Sequence, residues 1–138
     1  MGNDKQIKQR TSTEIALWTL QVLMAALFLF AGAMKFLIPA DQLAAQSTLP
    51  ISFLYFIGAA EGLGAFGLVL PGLFRIARGL TSLAAAGLTI IMAGAVCVSI
   101  LKGGLAAGAI PAIVGVCCAL IAYHRAPHRL APRPRFAN

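Results

Sequence analysis

The sequence has very few charged residues. Charged side chains occupy 11% of its 138 positions, and only four residues are acidic, whereas about a quarter of the residues in soluble domains are charged. Hydrophobic residues make up 59%, and a soluble domain of this length could not bury that much apolar surface. The composition therefore excludes a soluble globular protein and predicts an integral membrane protein embedded in a lipid bilayer.

The scarcity of acidic residues leaves a formal net charge of +7. In a polar chain such an excess would suggest binding to nucleic acid. Here the basic residues lie at the edges of apolar runs, so acidic lipid headgroups are the expected counter-ions. We expect no nucleic-acid partner.

The apolar runs lack alternating polarity, which excludes a membrane β-barrel. Each run is close to the ~20 residues that an α-helix needs to cross the hydrocarbon layer. Because the connections are short, we predict an all-α membrane protein, an antiparallel bundle of four transmembrane helices. The four predicted helices cover residues 15–38, 51–71, 80–101 and 105–123.

The predicted transmembrane domain, residues 14–123, lies between a polar N-terminal segment (1–13) and a basic tail (124–138). Thr11-Ser12-Thr13-Glu14 is a capping-box pattern that predicts the start of the first helix. Residues 40–50 are too polar to span a membrane and are expected to form a short interfacial helix or loop.

The distribution of Lys and Arg predicts the orientation. With a cytoplasmic N-terminus, only Lys35 and Lys102 lie on the outer side, and all other basic residues lie inside, which follows the positive-inside rule. We therefore predict a multi-pass protein of the plasma (inner) membrane with both termini cytoplasmic. The predicted inner residues are Lys5, Lys8, Arg10, Arg75, Arg78, Arg125, Arg129, Arg133 and Arg135.

Glycines recur at helical spacing in the apolar runs. Small residues let membrane helices approach closely, because lipid tails remove the ordinary hydrophobic drive between helices. We interpret the glycines as packing positions within the bundle rather than as a dedicated dimer face, while a homo-oligomer or a larger membrane complex stays open. The predicted packing glycines are Gly32, Gly58, Gly62, Gly64, Gly87, Gly94, Gly108 and Gly115.

Glu61 is an acidic residue inside the second apolar run. It lies about ten residues into that run, which at ~1.5 Å per residue places it near the bilayer midplane. A charge there costs at least ~2.5–3.5 kcal/mol, and such groups usually face the bundle interior. Two interpretations are open: a neutral carboxyl hydrogen-bonded to a neighbour, or a proton site or ligand anchor.

Lys35 lies near the outer end of the first run. Its ammonium could reach the headgroups, or it could point inward, since Gln21, Phe28 and Lys35 are spaced by seven and share one helix face. With straight helices, Lys35 and Glu61 differ by about 10 Å in depth. The sequence therefore predicts a ligand or proton site at Glu61, Lys35 and Gln21, with room for a small polar head between Lys35 and Glu61.

Other reactive groups are sparse. The three cysteines include no C-x-x-C pair, which disfavours a thiol–disulfide relay. His124 and His128 are spaced by four, but they lie among arginines in a tail that contains prolines, so we expect no metal site. No Gly-rich phosphate motif is present.

The segments LFLFAGAMKF (27–36) and GAAEGLGAFGLVLPG (58–72) resemble the DoxX-like family of small four-helix membrane proteins, over roughly residues 14–123. The resemblance places Lys35 and Glu61 in family motifs. Many members also carry a polar residue, often His, near the outer end of the third helix, where Cys97 and Ser99 are the nearest candidates in this chain.

The family is named after the small subunit of an archaeal thiosulfate:quinone oxidoreductase. The resemblance thus implies a non-autonomous subunit of a membrane redox system that binds a quinone or lipid-like molecule. In that role Lys35 would donate a hydrogen bond to a carbonyl, Glu61 would relay protons, and we expect no independent catalytic activity. The alternatives are a membrane chaperone or assembly factor acting through helix–helix contacts, and a small proton-coupled multidrug-type exporter.

Overall fold

The computed structural model describes residues 2–76 and 78–126, and every regular element in these ranges is helical. Four of the helical segments are long and apolar enough to cross a membrane, which confirms the all-α membrane fold. The elements are α1 (Gly2–Leu37), α2 (Ala40–Gln46), α3 (Ile51–Leu73), α4 (Arg78–Gly103), a 3₁₀ turn (Leu105–Gly108) and α5 (Ala109–His124).

Helix α1 begins much earlier than the capping-box pattern predicts. The hydroxyls of Thr11, Ser12 and Thr13 donate to the backbone carbonyls four residues before them, at 2.9–3.0 Å, instead of capping a helix start. No Gly or Pro occurs between residues 3 and 31 to interrupt the helix. The predicted start near residue 14 is therefore wrong, and the polar N-terminal segment is helical from Gly2 onward.

The four long helices, α1, α3, α4 and α5, run in alternating directions along the chain. Gly32, near the end of α1, faces Gly58 near the start of α3, while Trp18 faces Gly72 at the other end of the same pair. Helices α3 and α4 show the same reversal, as do α4 and α5. The contacts between these two pairs include Gly64 with Leu88, Gly67 with Ala84, Gly108 with Ile100, and Ser82 with Ala122.

The interior between the helices is mainly apolar, with Gln21, Glu61 and Thr81 as buried polar residues. It joins residues from all four long helices, and small side chains alternate with large ones so that the helices can approach one another. The buried cluster contains Phe28, Ala65, Leu68, Ala85, Leu88, Met92, Cys118 and Ile121.

Most of the predicted packing glycines lie at helix contacts. A Cβ on Gly64 would come within 2.7 Å of Leu88, and one on Gly108 within 2.6 Å of Ile100. Gly115 lies against Met92 in the same way, because a Cβ on Gly115 would be 3.1 Å from the Met92 Cβ.

Three predicted packing glycines have open space at the position of a Cβ, although the backbone N atom of Gly62 lies 3.4 Å from the Cβ position of Gly32 and thus at the contact with α1. A Cβ on Gly62, Gly87 or Gly94 would meet no atom within 4 Å. Helical spacing selects a face of a helix but does not say whether another helix covers it, and these three positions point into open space.

The basic tail lies mostly outside the described residues. His128, Arg129, Arg133 and Arg135 all fall in the range 127–138, so their predicted roles stay predictions. Arg125, which the sequence assigns to this tail, instead turns back into the bundle.

Candidate functional site

Lys35 and Glu61 form a direct ion pair between α1 and α3. The Lys35 Nζ atom donates to Glu61 Oε2 at 2.7 Å. It also lies 3.4 Å from the Ala31 carbonyl oxygen one turn earlier in α1. Glu61 is buried and Lys35 is partly buried, so each charge has its partner inside the protein rather than in the headgroup layer.

The direct contact overturns the expected gap of about 10 Å. That estimate placed the end of α1 level with the start of α3, whereas Lys35 is level with Gly58, whose Cβ position would lie 3.2 Å from the Lys35 Cβ. Helix α3 therefore begins about seven residues, or ~10 Å, beyond the level of Lys35. The offset is possible because α2 and residues 47–50 separate the two helices, and it leaves only one helical turn for the lysine side chain to span.

Two glycines bring α1 and α3 together beside the ion pair. A Cβ on Gly32 would lie only 2.7 Å from the Gly58 carbonyl oxygen and 3.5 Å from the Glu61 Cβ. The backbones are thus in contact, which places the carboxylate within reach of the ammonium.

A cavity of about 420 Å³ opens from the ion pair toward the end of the bundle where α2 lies. Its polar atoms come mainly from Lys35 and Glu61, together with Ser47 and Ser99, and its walls are otherwise apolar. The apolar lining is contributed by α3, α4 and the segment before α3, and includes Leu49, Phe53, Leu54, Ile57, Ile90, Ile91 and Val98.

The segment that connects α1 to α3 closes one side of this cavity. Ser47 and Leu49 line it, and the Leu49 backbone N–H donates to Ser47 Oγ at 3.2 Å. Lys102, at the end of α4, donates through Nζ to the Gln46 carbonyl oxygen at 2.6 Å. This hydrogen bond connects the segment between α1 and α3 to the end of α4.

The family model described as DoxX-like matches residues 19–121, which is more than half of the chain and includes both members of the ion pair. The chain belongs to the DoxX-like family. No curated protein and no solved structure matches it. Of the two residues considered for the polar position in this family's third helix, Ser99 lines the cavity of this DoxX-like protein, whereas Cys97 is exposed and does not.

Gln21 does not join Lys35 and Glu61. It lies fourteen residues before Lys35 in α1, about 21 Å away along the helix axis. Its side chain is buried, donates through Nε2 to the Leu68 carbonyl oxygen at 2.7 Å, and accepts from Arg125 Nε at 3.1 Å. A shared helix face thus correctly places Gln21 inside the bundle but does not indicate the depth of its partners.

Arg125 is the polar residue that sequence reasoning missed. It follows the last apolar span directly, where an arginine usually reaches the headgroups. A signal was present in α1, because Glu14, Trp18 and Gln21 are spaced by four and three and share one helix face. A carboxylate, an indole and an amide on one face could have indicated a cationic partner.

In the part of the chain that the structure describes, the cysteines do not assemble into a site. Cys117 and Cys118 lie on neighbouring faces of α5, and Cys118 packs in the apolar core. Within residues 2–76 and 78–126, no group of three or more His, Cys, Asp and Glu side chains could hold a metal ion.

Proposed function

We propose that this DoxX-like protein binds a quinone or a lipid-like molecule with a small polar head in the cavity at Lys35 and Glu61, as a subunit of a membrane redox system. The observation that carries the proposal is the distribution of polarity in the cavity. A single ion pair lies at its inner end, while aliphatic and aromatic side chains line most of the rest. A ligand with a polar head and an apolar body has the same distribution.

The ion pair has hydrogen-bonding capacity to spare for such a head. An ammonium has three N–H donors, and those of Lys35 serve Glu61 Oε2 and the Ala31 carbonyl. No residue in the described ranges accepts from the third donor, which can therefore donate to a ligand carbonyl. The Glu61 carboxylate can accept a proton from, or return one to, the bound head.

In the redox role, quinone reduction needs two electrons and two protons. A reductase subunit of the same complex would supply the electrons. Glu61 would take up protons from the aqueous phase one at a time and relay them to the quinone oxygens, and Lys35 would orient the ring through its hydrogen bond. The chain then needs no turnover of its own, in keeping with a small subunit that completes a quinone site.

The proposal includes an orientation with both termini in the cytoplasm of a cell with a plasma (inner) membrane. It rests on the excess of Lys and Arg at the end of the bundle that contains the N-terminus, since cytoplasmic loops carry such an excess. The cavity at Lys35 and Glu61 then opens toward the outer leaflet. Reporter fusions to either terminus that are active only in the cytoplasm test this orientation, and activity of periplasmic reporters at both termini would contradict it.

The binding proposal is tested by purifying the wild type and Glu61→Gln in a mild detergent and identifying co-purifying small molecules by mass spectrometry. We expect a quinone or one defined lipid in the wild type and its loss in Glu61→Gln. Asp41→Asn is the matched control, because it also neutralises a carboxylate but at an exposed position of α2 that does not line this cavity. Equal, non-specific lipid in all three proteins would contradict the proposal. Altered association with a protein partner in Glu61→Gln would then favour an assembly factor.

A further inference from the structure

A second polar cavity lies at the opposite end of the bundle from Lys35 and Glu61. It has a volume of about 510 Å³, and its lining includes Glu14, Trp18, Gln21, Arg75, Thr81 and Arg125. Two arginines face a single carboxylate there, so the lining carries an excess of one positive charge. The proposed quinone site involves none of these residues.

The Arg125 guanidinium is held in place but is not fully paired. Its Nε donates to Gln21 Oε1 at 3.1 Å, its Nη1 donates to Glu14 Oε2 at 3.0 Å, and its Cζ atom lies 5.9 Å from the centre of the Trp18 ring. The third nitrogen, Nη2, is buried and has no hydrogen-bond partner among the described residues. A buried guanidinium nitrogen without a partner is unfavourable, so an anion that displaces the Glu14 carboxylate from the guanidinium would supply the missing acceptor.

Arg75 lines the same cavity from an unusual backbone position. Its φ is +54°, in the left-handed region that favours glycine. It follows the end of α3, where the Ile76 N–H bonds back to the Pro71 carbonyl oxygen at 3.1 Å and closes the helix. Glycine would fit this turn without strain, so the backbone gives no reason for an arginine. The Arg75 charge fits the excess of Lys and Arg at this end of the bundle, and its side chain borders the cavity.

We propose that this cavity binds the phosphate group of an anionic molecule between Arg75 and Arg125. Guanidinium groups match the geometry of phosphate oxygens with two parallel hydrogen bonds. The cavity lies where the apolar spans end, at the level of lipid headgroups. The phosphate can belong to an anionic phospholipid of that leaflet or to a soluble phosphate compound, and the same two arginines bind either one.

The Glu14 carboxylate competes with this anion for the Arg125 guanidinium. The Glu14 side chain is 58% exposed although its carboxylate pairs with Arg125, so it can turn into solvent when a phosphate takes its place. Removing the Arg75 charge therefore weakens phosphate binding, whereas removing the Glu14 charge strengthens it. A purely structural role for the cluster gives no such opposite response.

Trp18 provides a direct readout, because it is the single tryptophan of the chain and it borders the cavity. The purified full chain in detergent is titrated with dioctanoyl phosphatidylglycerol, with dioctanoyl phosphatidylcholine, and with inorganic phosphate, while tryptophan fluorescence is followed. We expect a saturable response to phosphatidylglycerol, weakened about tenfold in Arg75→Gln and strengthened several-fold in Glu14→Gln. Arg10→Gln, which removes one positive charge from the exposed part of α1, should bind like the wild type.

Arg125→Gln should also lose binding. If Arg125→Gln does not fold, Arg75→Gln still tests the proposal, because the contacts that connect α5 to α1 are made by Arg125 and not by Arg75. A response to inorganic phosphate as strong as that to phosphatidylglycerol supports a soluble ligand at the same site. The proposal is overturned if neither probe gives a saturable response, or if Arg75→Gln and Arg10→Gln bind equally well.

Discussion

Gly32 and Gly58 place the backbones of α1 and α3 in direct contact, because a Cβ on Gly32 would lie 2.7 Å from the Gly58 carbonyl oxygen. This contact sets the separation at which Lys35 meets Glu61. The ion pair therefore depends on two residues that carry no side chain.

Replacing Gly32 by Ala should destabilise the bundle by about 1–3 kcal/mol, because the methyl group must push the two helices apart. Gly62→Ala is the control. It adds a methyl group in open space on α3 and should be neutral or slightly stabilising, since Ala favours a helix by up to ~1 kcal/mol over Gly. Unfolding in detergent measures both changes. Equal stabilities of the two variants would show that α1 and α3 are not in contact here.

Removing the Lys35 charge should lower the free energy of unfolding more than removing the Glu61 charge. The Glu61 side chain is 5% exposed and that of Lys35 is 22% exposed, so an unpaired Lys35 can turn toward the headgroups whereas an unpaired Glu61 stays buried. Lys35→Met should therefore cost about 3 kcal/mol and Glu61→Gln about 1 kcal/mol.

The double variant tests whether these costs come from one interaction. Because Lys35 and Glu61 contact each other directly, Lys35→Met combined with Glu61→Gln should cost clearly less than the sum of the single changes. Additive effects in unfolding experiments would show that the two residues act separately.

Filling the cavity should remove its ligand while sparing the ion pair. Gly94 lines the cavity, and a Cβ there meets no atom within 4 Å, so Gly94→Leu projects an isobutyl group into free space. Gly87 lies two turns away on the same face of α4, also has open space at its Cβ, and does not line this cavity.

Mass spectrometry of the purified variants should thus find the co-purifying molecule with Gly87→Leu and not with Gly94→Leu. Both variants should fold, as judged by their thermal unfolding. Retention of the molecule by Gly94→Leu would place its binding site elsewhere.

Gln21 should matter for stability rather than for the cavity at Lys35. Its side chain joins three helices through Leu68 on α3 and Arg125 at the end of α5. Gln21→Leu removes both hydrogen bonds and leaves another guanidinium nitrogen unpaired, which should cost about 1–3 kcal/mol. Thermal unfolding checks this, and unchanged binding of the co-purifying molecule would separate Gln21 from the ligand site.

Hydropathy and charge were sufficient to predict the four spans, and Lys35 and Glu61 stood out because isolated charges inside apolar runs are costly. Their contact could not be predicted, because the relative heights of α1 and α3 depend on how α2 and residues 47–50 are folded. The same limit explains Arg125, whose partners lie more than a hundred residues earlier in the chain. It also explains Gly87 and Gly94. Their spacing is typical of a packed helix face, but spacing does not show whether another helix covers that face, and none contacts their Cβ positions.

Helix α1 runs from Gly2 to Leu37 without a break, and it contributes Glu14 and Gln21 to the Arg125 cluster and Lys35 to the ion pair with Glu61. Glu14 and Lys35 are twenty-one residues apart, nearly six full turns, so they project from roughly the same side of the helix about 31 Å apart. Any rotation or axial slide of α1 would pull on the Arg125 contact and on the Glu61 contact at once. The two polar clusters, at opposite ends of the bundle, are therefore mechanically coupled through α1.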